Sequence, residues 1–213
     1  MRFHDRSDAG RVLAGAVSGL DLRDPVVLAL PRGGVPVGYE VARALGAPLD
    51  VFVARKVGAP RHPEYGIGAI AEGDGVVADR GALSSFGLTP DHWEQLVARE
   101  RDELARRVQR YRPGGDLPSV AGRDVVLVDD GLATGVTAEA ALRSLRALGP
   151  RRLVLAVPVC PPDTAQRMRS FADDVVCISA PESFRAVGQW YEDFRQTSDQ
   201  EVLELLDRAA AMR

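Results

Sequence analysis

Two adjacent carboxylates, Asp129 and Asp130, stand where the apolar run Val125–Val128 stops, and the stretch Gly131-Leu132-Ala133-Thr134-Gly135-Val136-Thr137 follows at once. A loop of small residues lets backbone N–H groups approach a phosphate closely, and a helix opening behind it adds the positive end of its dipole. Thr134 and Thr137 contribute hydroxyl donors. Carboxylates beside such a loop would repel a phosphate but accept hydrogen bonds from vicinal sugar hydroxyls. Pair and loop together therefore fit a ribose 5-phosphate. The competing reading is an Asp-rich turn in which Thr134 or a neighbour merely caps the helix. It explains the carboxylates poorly.

Two further segments carry charge at comparable places. Leu30-Pro31-Arg32-Gly33-Gly34 ends the apolar run Val26–Leu30; the free N–H groups of a tight Gly turn can grip an anion there, and Arg32 can pair with it. Arg55 and Lys56 follow the run Leu49–Ala54, with Arg61, His62 and Tyr65 shortly after. Cations in that position suit a negatively charged leaving group. A plain structural turn and a solvated basic turn are the respective alternatives.

The elements that must position these residues alternate. The runs at 26–30, 49–54, 125–128, 153–157 and 175–178 read as strands, and Val125–Val128 has no polar interruption, as strands covered on both faces do. Helical patterns lie between them at Val37–Leu45, Asp163–Phe171 and Ala138–Leu148, the last with Ala141, Leu142, Leu145 and Leu148 on one face and Gly149-Pro150 as stop signals. The alternation predicts an α/β fold with a doubly wound parallel sheet, in which ligands bind at the carboxyl ends of strands. Two regions depart from the rhythm. The Gly-rich stretch Arg61–Val77 predicts a mobile loop leading to a hairpin or short strands. Thr89-Pro90-Asp91 opens a long charged helix to about Tyr111, with Trp93, Leu96, Val97, Leu104 and Val108 as an apolar stripe that packs on the sheet. Asp199–Met212 reads as a closing amphipathic helix. Residues 1–213 form one domain, with Pro113-Gly114-Gly115 as a short connector.

Composition narrows the function classes. The 213 residues are 46% hydrophobic and 27% charged, ordinary values for a soluble globular chain. A net charge of -3 supplies no global attraction to nucleic acid or to an anionic membrane. No signal-type or membrane-length apolar stretch occurs, so the expected location is the cytoplasm. Cys160 and Cys177, with no C-x-x-C spacing, read as buried thiols rather than zinc ligands. Gly66-Ile67-Gly68-Ala69-Ile70-Ala71 matches a dinucleotide fingerprint as a string, but the strand before it and the helix after it are missing. A receiver-like phosphoacceptor pocket would need a Lys near the fifth strand, whereas the one Lys, Lys56, follows the second run.

The segment Val125–Thr137 resembles the signature of the type I phosphoribosyltransferases. The resemblance implies that Asp129 and Asp130 contact the ribose hydroxyls of phosphoribosyl pyrophosphate, and that Ala133, Thr134, Gly135, Val136 and Thr137 hold its 5-phosphate. Leu30–Gly34 is similar to the family's pyrophosphate loop, which gives that role to Arg32, Gly33 and Gly34, with Lys56 beside them. Arg55-Lys56 is similar to the Arg-Lys pair before the catalytic loop of orotate-type enzymes, although Val57–Gly66 lacks the second Lys of that pattern. Arg32, Arg55 and Lys56 are thus the implied catalytic residues. Mg2+ is the implied cofactor, carried by the substrate near Asp129 and Asp130 with no direct protein ligand assigned. A small hood, from about 181–196 with an N-terminal contribution, would cover the base side, where Phe184, Trp190 or Tyr191 could stack on a ring; core packing is the equal alternative for these aromatics. The 6-oxopurine enzymes carry Asp where Ala133 stands, so the form here is closer to the adenine type. The implied reaction transfers ribose 5-phosphate to a nitrogen nucleophile, a small-molecule acceptor, and releases pyrophosphate. The alternative is a non-catalytic regulator that binds phosphoribosyl pyrophosphate or a nucleotide. Relatives often form dimers, which makes a homodimer compatible with the resemblance.

Overall fold

The computed structural model describes residues 1–212. Strands β1 (Val26–Ala29), β2 (Leu49–Val51), β6 (Asp124–Val128), β7 (Arg152–Val159) and β8 (Asp174–Ser179) form a parallel sheet in the order β2-β1-β6-β7-β8. β1 and β6 are fully buried, and successive side chains enter opposite cores. Val27, Ala29, Val126 and Val128 join the core that includes residues of helices α1 (Arg6–Val17) and α2 (Gly34–Leu45). Val26, Leu28, Val125 and Leu127 join the other, with α5 (Val136–Ala147). The sheet is therefore doubly wound, as its apolar runs predict.

From β1 the chain turns through α2 to β2 on one side, whereas β6, β7 and β8 extend on the other. The strand order reverses between β1 and β6. The carboxyl ends of these two strands open the crevice where doubly wound sheets place their ligands.

The stretch Arg61–Val77 forms the expected short strands, and they begin at His62, where a loop is expected. β3 (Ala54–Ala59), β4 (His62–Ala71) and β5 (Val76–Ala78) form a three-stranded antiparallel sheet. Its glycines serve close approach: a Cβ at Gly68 would lie 2.3 Å from the Val77 carbonyl oxygen and 2.5 Å from the Trp93 ring. The run Leu49–Ala54 divides accordingly, because Phe52 and Val53 separate β2 from β3. Arg55 and Lys56 thus lie inside a strand rather than in a turn beyond one.

Two further helices, α3 (Arg80–Ser85) and α4 (Pro90–Tyr111), follow β5. The α4 stripe packs on this second sheet, where Trp93, Leu96 and Leu104 meet the core of Val57, Ile67 and Ile70. The opposite face of the second sheet, through Ala69 and Ala71, packs with Ala138, Ala141, Leu142 and Leu145 of α5. Arg112 fastens the assembly, donating to the Val51 carbonyl at 3.0 Å and to Glu72 at 3.0 and 3.1 Å.

α6 (Pro162–Met168) leads into β8, and α7 (Asp199–Ala210) packs on α2. Helix α1, capped by Asp5, is absent from the sequence-based expectations although Ala9, Leu13 and Val17 recur on one face. Cys160 is buried and Cys177 half-buried; both are free thiols, with Sγ atoms 3.1 Å apart. Among the described residues no group of three or more His, Cys, Asp or Glu is arranged to hold a metal, and no helix is long and apolar enough to cross a membrane.

Candidate active site

β6 ends at Val128 and delivers Asp129 and Asp130 to the crevice; β1 ends at Ala29 and delivers Leu30–Gly34 beside them. The two segments are in direct contact. Leu30 N–H donates to the Val128 carbonyl at 2.8 Å. A Cβ on Gly34 would lie 2.8 Å from that carbonyl oxygen, and one on Gly33 only 2.1 Å from Oδ2 of Asp130. Gly33 has an ordinary φ of -62°, so the absence of a side chain there is a matter of space alone.

The loop from Gly131 to Gly135 enters α5 with Gly135 as its N-cap at φ 69°, a left-handed conformation that favours glycine. Ala133 and Thr134 are exposed. The N–H groups of the first turn of a helix have no intrahelical partner, which leaves those at Val136 and Thr137 available to an anion. From behind, α6 holds the loop: Thr164 Oγ1 donates to the Ala133 carbonyl at 2.9 Å, and Arg167 donates to the Thr134 carbonyl and to Glu139.

The carboxylates are strongly perturbed. Burial, then the negative charge of Asp130, pushes Asp129 well above the usual carboxylate range. Burial also raises Asp130, against the opposing charge of Arg6. Arg6 Nε donates to Asp130 Oδ2 at 2.7 Å, its Nη1 donates to the Arg195 carbonyl at 2.6 Å, and its guanidinium lies 4.0 Å from the centre of the Phe194 ring. Nothing in the local sequence around Arg6 points to this role.

Gly33 and Gly34 lie against the Asp pair, whereas the Arg32 guanidinium reaches Asp199 at the start of α7, at 4.0 Å. Arg55 is held by Glu100 at 2.7 Å and by Glu103 at 3.8 Å, both on α4. Lys56 is exposed on β3, opposite Ala69. The aromatic candidates separate. Phe184 lines a cavity of about 530 Å³ with Ala133, Thr134 and Arg167, and its ring stacks on Trp190 with centroids 6.3 Å apart. Tyr191 is 1% exposed between Phe3 and Phe194, and its hydroxyl donates to the Asp130 carbonyl at 2.5 Å. It therefore props the Asp pair and has no face to offer a ligand ring.

A parallel sheet whose strand order reverses, with an acidic pair and a small-residue loop at the mouth of the reversal, defines an α/β protein of the doubly wound class. The family model for the phosphoribosyl transferase domain matches residues 6–195, and the chain belongs to that family. A Mycobacterium tuberculosis (strain ATCC 25618 / H37Rv) protein, provisionally named a phosphoribosyl transferase, is 49% identical over 208 residues. That match takes in 97% of this chain and 47% of the relative, so the chain spans about half the length of the curated relatives it matches. The crystal structure of the TT1426 protein from Thermus thermophilus is 48% identical, covers 97% of this chain and 98% of its own, and superposes with a TM-score of 0.79. The AQ2163 protein of Aquifex aeolicus, 14% identical over 94% of this chain and 86% of its own, shares the fold at a TM-score of 0.54.

Proposed function

We propose that this protein transfers the ribose 5-phosphate group of phosphoribosyl pyrophosphate to a nitrogen nucleophile and releases pyrophosphate. The observation that carries this reading is the contact between the Asp129–Asp130 pair and the Arg32-Gly33-Gly34 turn at the strand-order reversal. Asp129 and Asp130 accept from the ribose hydroxyls, and the N–H groups of Ala133–Thr137 take the 5-phosphate. Gly33 and Gly34 leave room for pyrophosphate against the same strand end. The acceptor, a small molecule such as a nucleobase, enters beside Phe184 and Trp190, where residues 181–196 and the N-terminal segment cover the site as a hood. Ala133, in place of a carboxylate, favours an adenine-type over a 6-oxopurine acceptor.

Transfer at the anomeric carbon depends on positioning and on charge stabilisation of the leaving group. Arg32, Arg55 and Lys56 supply positive charge for that purpose. The donor set also fits Mg2+, which keeps several waters and needs only one or two carboxylates in addition to substrate phosphates. Asp129 and Asp130 are the residues that would stand near such an ion, and its chemistry there is neutralisation of the pyrophosphate charge.

A second reading, binding of phosphoribosyl pyrophosphate without turnover, draws support from Arg55, whose guanidinium is taken up by Glu100 and Glu103. Pyrophosphate release measured with phosphoribosyl pyrophosphate, Mg2+ and a panel of purines, pyrimidines and small amines separates the two. Turnover with any acceptor supports transfer. Saturable binding with no release across the panel replaces it with the regulator.

A further inference from the structure

Cys160 and Cys177 are the two cysteines of the chain, and neither has a part in the reaction above. Cys160 directly follows β7, and Cys177 lies within β8, the parallel neighbour of β7. In register Cys177 sits opposite Val157 rather than Cys160, yet the two sulfurs stand 3.1 Å apart, with Cys160 Sγ donating to Cys177 Sγ. A disulfide holds its sulfurs at about 2.05 Å, so the bond requires about 1 Å of approach.

The pair is asymmetric. Cys160 is fully buried, in the core that includes Leu155, Val157 and Met168. Cys177 is half-buried on β8, the edge strand of the parallel sheet. The hydrogen bond from Cys160 holds the Cys177 thiol below its ordinary value, whereas the same bond, then burial, pushes Cys160 up. The thiolate is the nucleophile in thiol oxidation, so access and charge both make Cys177 the first sulfur to react and Cys160 the one that resolves it.

The position of Cys160 links the pair to the site. Val159, just before it, accepts the Leu132 N–H at 3.0 Å. Pro161, just after it, is the N-cap of α6, whose Thr164 and Arg167 donate to the Ala133 and Thr134 carbonyls. Residues on both sides of Cys160 therefore hold the loop Gly131–Gly135. β8 lies on the side of β7 away from β6, where that loop begins, so drawing Cys160 toward Cys177 stretches these bonds.

We infer that Cys160 and Cys177 are a redox-sensitive site, which a hydroperoxide converts to an intramolecular disulfide that loosens the loop Gly131–Gly135. Cys177 Sγ attacks hydrogen peroxide: an S–O bond forms, the O–O bond breaks, and the leaving oxygen departs as water with the thiol proton. Cys160 Sγ then attacks Cys177 Sγ: the S–S bond forms, the S–O bond breaks, and hydroxide leaves with the Cys160 proton as a second water. Two thiols lose two electrons, and the peroxide is reduced to two waters. Neither step draws on the reaction proposed for the Asp pair, so the inference stands or falls apart from it.

The test treats the reduced, folded full chain with hydrogen peroxide and reads intact mass, a non-reducing peptide map and amide hydrogen exchange. Expected are a loss of two hydrogens, a Cys160–Cys177 crosslinked peptide pair, and reversal of both by dithiothreitol. Exchange across the loop should be faster in the oxidised protein by about threefold or more, as weakening one hydrogen bond implies. Cys160→Ser should stop at a sulfenic acid on Cys177, trapped by dimedone, and Cys177→Ser should leave Cys160 unmodified. In neither variant should peroxide change exchange in the loop; Cys160→Ala serves if the buried serine lowers the thermal midpoint. The inference is overturned if the folded protein forms no disulfide, if the bond joins two chains, or if Cys177 proceeds to sulfinic acid without crosslinking. Loop exchange that is unchanged or slower once the bond has formed overturns it equally.

Discussion

Arg6 and Asp130 form a salt bridge at 2.7 Å across 124 positions of sequence, with side chains only 12% and 14% exposed. Removing one partner of such a pair strands a charge away from water, at a cost of about 3–5 kcal/mol. Arg6→Gln should therefore lower the free energy of urea unfolding by about 3 kcal/mol, and Asp130→Asn added to it should recover part of that loss. Additive effects in the double-mutant cycle would show that the two residues are not coupled.

Gly33→Ala should act through space rather than through backbone strain, since its φ is ordinary and the added methyl would meet Asp130. The Asp130 carboxylate and Arg6 must then move. Ribose 5-phosphate affinity should fall about tenfold or more, equivalent to at least about 1.4 kcal/mol, in a direct binding titration. Unchanged affinity would remove Asp130 from the sugar contact.

Asp199 collects Tyr111, Arg110 and Arg32 at the start of α7. The hydrogen bond from the Tyr111 hydroxyl, followed by that from Arg110, holds its carboxyl below the usual range. A carboxyl depressed in the folded state stabilises above its unfolded value of about 3.9 and loses that contribution as pH falls through the folded value. The difference in melting temperature between wild type and Asp199→Asn should be constant from about pH 5 to 8 and shrink below about pH 4. A difference that grows on acidification would contradict the assignment.

Tyr111 gives the opposite limb. Burial first, then its bond to Asp199, pushes the phenol up to about 12. A group raised in the folded state stabilises below its unfolded value of about 10 and loses that stabilisation as pH rises toward the folded value. Stability should therefore fall between about pH 10 and 12, and Tyr111→Phe should flatten that fall in alkaline melts.

Lys56→Ala should reduce the rate of pyrophosphate release by about 100-fold, within the range for loss of a charge-stabilising group. Ribose 5-phosphate carries no leaving group, so its affinity should remain within about twofold of wild type. Unchanged turnover would remove Lys56 from the mechanism.

Much of the parallel sheet and the loop Gly131–Gly135 is legible because both are written in contiguous residues. An unbroken apolar run, two acids, a small-residue loop and a helix are local features, and their order places the loop at a strand end. In the Gly-rich stretch Arg61–Val77 the short strands are legible but their start at His62 is not, for a physical reason. Glycine marks both flexible backbone and crowded backbone, and Gly68 is of the second kind, pressed against Val77 and Trp93. The helix Arg6–Val17 carries a readable signal in Asp5, Ala9, Leu13 and Val17, but nothing local connects Arg6 with Asp130. Tyr191 likewise reads as a ring available for stacking, and packing between Phe3 and Phe194 removes its faces.

By itself the sequence determined the alternation of strands and helices and the strand–loop–helix order of Val125–Thr137, since periodicity and motif spacing act within a few residues. Tertiary structure alone decided which charges meet. It gave Arg6 to Asp130, Asp199 to Arg32, and Glu100 and Glu103 to Arg55. These pairings join residues tens to hundreds of positions apart, and only the stacking of α4 on the second sheet and of α1 and α7 beside the first brings their side chains within reach.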